Sequence, residues 1–146
     1  MPKSSSASVK PCCLSRSNSV SMTTNLAVNL DAMGRTREAE PLFRQAVAGW
    51  EKLFGRKTRY ILPPLNGLAT NLKMQGRFGE AETLLREELA LRRELDGADD
   101  ADTIYAKIGI GSLFADQGLN AAAEPWMAEA VADFLRTQGE AAYDTL

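Results

Sequence analysis

Histidine is absent from this chain of 146 residues, which removes the commonest general base and the commonest metal ligand. Cysteine is nearly absent. Cys12 and Cys13 are adjacent, so they cannot staple a fold, and alone they cannot build a zinc site. No apolar run approaches the roughly 20 residues that cross a bilayer, and no apolar core of a secretory signal follows the N-terminus. The net charge of −2 creates no global field to attract nucleic acid or an acidic membrane. No phosphate loop, nucleophile elbow or metal-ligand spacing occurs. The acidic run 96–102 fails the spacing of a calcium loop and has no glutamate at the closing position. These absences exclude the usual routes to catalysis. No enzyme activity, cofactor or metal is expected, nor a nucleic-acid or membrane partner, and a reducing cytoplasm is the default location.

What the chain does contain is itself, three times over. Leu26-Ala27 recurs as Leu68-Ala69, Gly34-Arg35 as Gly76-Arg77, and Glu38-Ala39-Glu40 as Glu80-Ala81-Glu82, always 42 positions on. Leu30 falls on Leu72, Leu42 on Leu84, and Gly55 on Gly97. A third, more divergent copy keeps the spacing through Ile110, Phe114, Gly118, Ala123-Glu124, Trp126 and Gly139. A fixed period of this size implies a stacked array in which each unit buries its apolar face on its neighbour. The units run 19–60, 61–102 and 103–144. Residues 145–146 would open a truncated fourth unit, as expected of a fragment of a longer scaffold. Residues 1–18 are basic, serine-rich and free of acid, and are expected to be a disordered tail, although the composition also suits a transit peptide.

Each unit reads as two helices, about 19–33 and 37–54, 62–75 and 79–95, and 103–117 and 121–137. Leu65, Leu68, Ala69 and Leu72 mark one apolar face at helical spacing, and Pro63 and Pro64 suit only a first turn. Gly34, Gly55, Gly76, Gly97, Gly118 and Gly139 are the expected stops, and Asp102 is the expected cap of its helix. The short turn within each unit makes its helices antiparallel neighbours. Small residues recur where they should cross: Ala27, Ala69 and Gly111 on the first helices, and Ala39, Ala81 and Ala123 on the second. Glu82–Arg86 and Glu88–Arg92, four residues apart, describe a solvated face with intrahelical pairing. The basic linker 56–59 and the acidic linker 96–102 bring Lys57 over Asp99 in register, an expected attraction between repeats.

The segments NLAVNLDAMGRTREAEPLFRQAV (25–47) and GLATNLKMQGRFGEAETLLREEL (67–89) resemble tetratricopeptide repeats. The 42-residue period and the glycine closing the second helix are similar to the longer kinesin-light-chain type, whereas the commoner form repeats every ~34 residues. HEAT and armadillo arrays have similar periods but not this pattern. The resemblance implies an all-α protein, a right-handed α-solenoid of three antiparallel helix pairs. Its first helices would line a concave groove holding a peptide or protein partner. The family's pair of Asn residues before Leu-Ala appears here as Thr24-Asn25, Asn66-Gly67 and Ile108-Gly109, half kept in two units and lost in the third.

Projecting the first helices inward gives a groove lined by Thr24, Asn25, Val28 and Asp31, then Asn66, Thr70 and Lys73, then Tyr105, Ile108 and Ser112. The amides and hydroxyls suit a peptide main chain, and Tyr105 suits a side-chain anchor. A second expected surface is Trp126, Met127, Val131, Phe134 and Leu135 on the last helix. No polar capping helix follows them in the sequence, as arrays normally require. Self-association through that end, giving a homo-oligomer, is therefore the alternative expectation.

Overall fold

The computed structural model describes residues 11–144, and side chains from 15 to 139. Six α-helices follow one another among them: α1 Pro11–Ala32, α2 Thr36–Phe54, α3 Leu62–Met74, α4 Phe78–Asp96, α5 Ala101–Asp116 and α6 Asn120–Asp144. A single 3₁₀ turn, Arg59–Ile61, leads into α3. Of the expected tail, residues 1–10 lie outside the described residues. Pro11 to Asn18 are instead the opening turns of α1, with proline at the first position, where its missing N–H has no helical partner anyway.

Two compact units form, Met1–Gln75 and Gly76–Leu146. The division falls between the two helices of the second repeat. In the N-terminal unit, α1 and α2 pack together and α3 packs on α2. Ala27 and Ala39 are fully buried where α1 and α2 meet, and Phe43, Leu65 and Leu72 fill the core. In the C-terminal unit, α5 packs on α4 and α6 on α5, around Ala81, Leu89, Ile110 and Leu113.

The expected helix stops hold at Gly34, Gly55, Gly76, Gly97 and Gly118, all at positive φ between 77° and 91°. Only glycine takes that conformation without a Cβ penalty. Gly139 does not stop its helix: α6 continues to Asp144. Glycine inside a helix costs only about 1 kcal/mol against alanine, and the sequence after it, Glu140-Ala141-Ala142, is helix-forming. The cap of α5 is Asp100 rather than Asp102; its carboxylate accepts from the Asp102 N–H at 2.9 Å.

One glycine contact in each unit follows the repeat, tight in the first and ordinary in the second. A Cβ on Gly67 would lie 2.4 Å from the Phe43 ring, and one on Gly109 would lie 3.9 Å from Leu85. Phe43 and Leu85 are themselves 42 positions apart. The first contact explains the half-kept amide pair, because a second Asn at position 67 would collide with Phe43.

Candidate interaction site

In the N-terminal unit the first helices are α1 and α3. Asn25 and Val28 on α1, and Asn66 and Thr70 on α3, are exposed, and Lys73 is half-buried. Two of the expected groove residues serve the fold instead. Thr24 is buried, and its hydroxyl donates to the Val20 carbonyl at 3.0 Å. Asp31 accepts from Asn71 Nδ2 at 2.8 Å. Sequence reasoning passed over Asn71, a polar residue inside an apolar stripe. It is fully buried and donates also to the Thr36 carbonyl at 2.8 Å. Its own Oδ1 accepts from Gln75 Nε2 at 2.7 Å, and Gln75 reaches Glu40 at 3.0 Å. Burial raises the pKa of Asp31, against the opposing hydrogen bonds from Asn71 and Thr36. This network ties α3 to α1 and α2 by donors and acceptors that a core must satisfy.

Trp50, near the end of α2, is 6% exposed. It stacks on Tyr60 at 5.0 Å and on Phe54 at 5.9 Å between ring centroids. Ser21, Thr24 and Asn25 line a hollow with Trp50, Tyr60, Pro63 and Pro64, where the start of α3 closes over the α1–α2 pair.

In the C-terminal unit, Tyr105 is exposed, and Ile108 and Ser112 are half-buried. Here two surfaces expected to be separate coincide. Ile104, Tyr105 and Ile108 of α5 line one apolar pocket of about 290 Å³ with Ala130, Val131, Phe134 and Leu135 of α6. Phe134 is 44% exposed, and Val131 and Leu135 more so. The other two members of the expected association surface are used within the unit. Trp126 is half-buried with the Arg86 guanidinium 5.2 Å from its ring centroid. Met127 packs where Gly111 leaves room, 3.0 Å from the position a Cβ would take.

Charge in this unit is paired rather than displayed. Lys107 is buried on α5, and its Nζ donates to Glu129 at 2.7 Å and Asp133 at 2.5 Å. Burial opposes its charge, but the two carboxylates outweigh it and lift its pKa above the ordinary lysine value. The Lys107 hydrogen bond, joined by one from Arg136 and opposed by burial, holds the Asp133 carboxyl below the usual carboxylate range. Arg136 also donates to Asp99 at 2.7 Å, so Asp99 has its partner within its own unit. Glu88, expected on a solvated face, is buried, and Arg92 donates to it at 2.9 Å. Among the described residues no group of three or more acids or cysteines could hold a metal ion, and no helix is long and apolar enough to cross a membrane.

The sequence matches the tetratricopeptide repeat family over residues 18–94 and again over 60–136. No curated protein matches it. Among solved structures, BtubC (BKLC) from P. vanneervenii is similar with a TM-score of 0.74 and 21% identity, covering 82% of this chain and 48% of that one. A Podosopora anserina protein assigned as a kinesin light chain, with nearly identical TPR-like repeats, is similar with a TM-score of 0.71 and 20% identity, covering 84% of this chain and 57% of that one. The chain thus spans about half the length of the solved proteins it resembles. At these identities the likeness shows the fold, an α-solenoid of antiparallel helix pairs. The 42-residue period, the glycine stops and the family match together establish that the chain belongs to the tetratricopeptide repeat family.

Proposed function

We propose that this chain is a non-catalytic interaction module, acting in the cytoplasm, that holds an extended peptide of a partner protein on the faces of its first helices. Tetratricopeptide repeats are generally protein-interaction modules. The observation that carries the finer proposal is the pairing of exposed amides in one unit: Asn25 on α1 and Asn66 on α3, with Val28 and Thr70 beside them. An amide side chain donates and accepts at once, as a peptide main chain does. Tyr105 offers an exposed aromatic anchor in the other unit. Selection from a displayed peptide library tests this. Enriched peptides should lose about tenfold or more in affinity, or ~1.4 kcal/mol, with Asn66→Ala and Thr70→Ala together, at unchanged helicity. Affinity indifferent to both changes removes the groove from the account.

A second function is supported by a separate observation, the apolar pocket between α5 and α6. Exposed apolar clusters of this kind commonly serve as association surfaces, which supports reading it as one.

A further inference from the structure

The 42-residue register shows what covers a helix pair in this protein. In the N-terminal unit α3 covers α1 and α2. Gly67 lies against Phe43, Asn71 bonds Asp31 and the Thr36 carbonyl, and Tyr60 stacks on Trp50. Two periods on, Phe43, Val47 and Trp50 become Met127, Val131 and Phe134 on α6, while Ser21 and Thr24 become Tyr105 and Ile108 on α5. Val47 and Trp50 are buried, whereas Val131 and Phe134 are exposed. The accepting surface is thus present on α5 and α6 in the same register, more apolar than its counterpart, and open among the described residues.

One element of the chain carries the matching face and leaves it unburied. Pro64 and Leu68 of α3 are buried, as are Ala106 and Ile110 at the same register positions of α5. Their counterparts on α1 are Met22 and Leu26, which are 70% and 51% exposed. Asn29 stands where α3 has Asn71, and is exposed. Asn25 stands where α3 has Gly67. There it would meet Met127 instead of Phe43, and a flexible thioether yields where an aromatic ring does not.

We infer that the chain associates head to tail with a second copy of itself: α1 of one copy lies across α5 and α6 of the next, as α3 lies across α1 and α2 within the chain. The occupant follows from the register and the apolar match of Met22 and Leu26 with Val131, Phe134 and Leu135. The contact is heterologous, joining different surfaces of the two copies, so it adds copies one after another unless the geometry closes a ring. This docking rests on the second function above; it engages Asn25 and Tyr105, which the peptide groove also uses, whereas Asn66 and Thr70 on α3 take no part in it and test that groove separately.

Light scattering over a concentration series reads the outcome on the full chain. The mass should rise with concentration past that of a dimer. Met22→Glu with Leu26→Glu, and separately Val131→Glu with Phe134→Glu, should each give a monomer of unchanged helicity. Mixed in equal amounts, the two variants should form a one-to-one dimer and nothing larger, because each retains one intact face. Should either lose helicity, Leu26→Gln and Phe134→Gln replace them in the same mixing experiment. A monomeric parent chain overturns the proposal, as does a mixture that stays monomeric. Association that survives the α1 changes but not the α6 changes also overturns it, leaving α5 and α6 as a docking surface for a different occupant. Association that survives the α6 changes removes both the second copy and the surface.

Discussion

Trp50 and Phe134 occupy the same register position, two periods apart, and meet opposite fates. Trp50 lies beneath Tyr60, with Pro63 and Pro64 beside it. Phe134 stands at the mouth of a pocket whose other wall is α5. The local sequence around each is that of an amphipathic second helix, so local propensity does not separate them. The next helix does. In a stacked array, burial is a property of the neighbour as much as of the residue, and a face patterned for burial but left open is where association energy resides.

The comparison breaks most visibly at those two residues. Trp50→Ala should cost about 3–5 kcal/mol, whereas Phe134→Ala, at a side chain 44% exposed in the monomer, should cost about 1–2 kcal/mol. Urea denaturation of both variants at low protein concentration checks this, and equal losses would show that Phe134 is covered after all. Next in size is the latch of the N-terminal unit. Asn71→Ala leaves the Thr36 carbonyl and the Asp31 carboxylate short of a donor, and should cost about 1–3 kcal/mol in the same assay.

Two glycines sharpen the contrast between covered and open positions. Gly67→Ala places a methyl 2.4 Å from the Phe43 ring and should destabilise by about 1–3 kcal/mol through overpacking. Gly139→Ala meets nothing within 4 Å, lies within α6, and should stabilise by about 0.5–1 kcal/mol. A matching effect at both sites would refute the packing difference between them.

The smallest expected effect separates the units by acid. The depressed carboxyls of Asp133 and Asp99 contribute stability above the ordinary carboxylate pKa of about 4, lost as pH falls through their lower folded values. In the other unit Glu38 is also lowered, by its exposed pair with Arg35, but Asp31 has a raised pKa, so the contribution of Asp31 runs the other way, and protonation favours its folded state. Trp126 reports one unit and Trp50 the other. Below about pH 4, Trp126 fluorescence should begin its transition before that of Trp50. The reverse order would mean that the Lys107 network does not control acid stability.

Much of this architecture was legible in one sequence, because its signals are local and repeated. A glycine at the end of an apolar stripe needs positive φ whatever surrounds it, and five of six such positions behaved so. Gly139 did not, since a glycine can sit inside a helix at modest cost when its neighbours favour one. The small residues at the crossings were equally legible, since one lies in the same place in every copy. The candidate surfaces were less so. Asp31 and Thr24 look like groove residues on a helical projection, but the partner of Asp31, Asn71, 40 positions away, and the burial of Thr24 are visible only once the helices are packed. Glu88 looked solvated for the same reason.

The sequence by itself determined the period, the helices and their stops, and the family, because backbone conformation and amphipathic spacing are set within a few residues. Only the tertiary structure decided which polar groups were consumed by the core, that Trp126 and Met127 turn inward, and that Tyr105 and Ile108 share one pocket with Val131, Phe134 and Leu135. Those outcomes depend on contacts between residues far apart in the chain, where a hydrogen bond or a close fit is settled by distance and not by pattern.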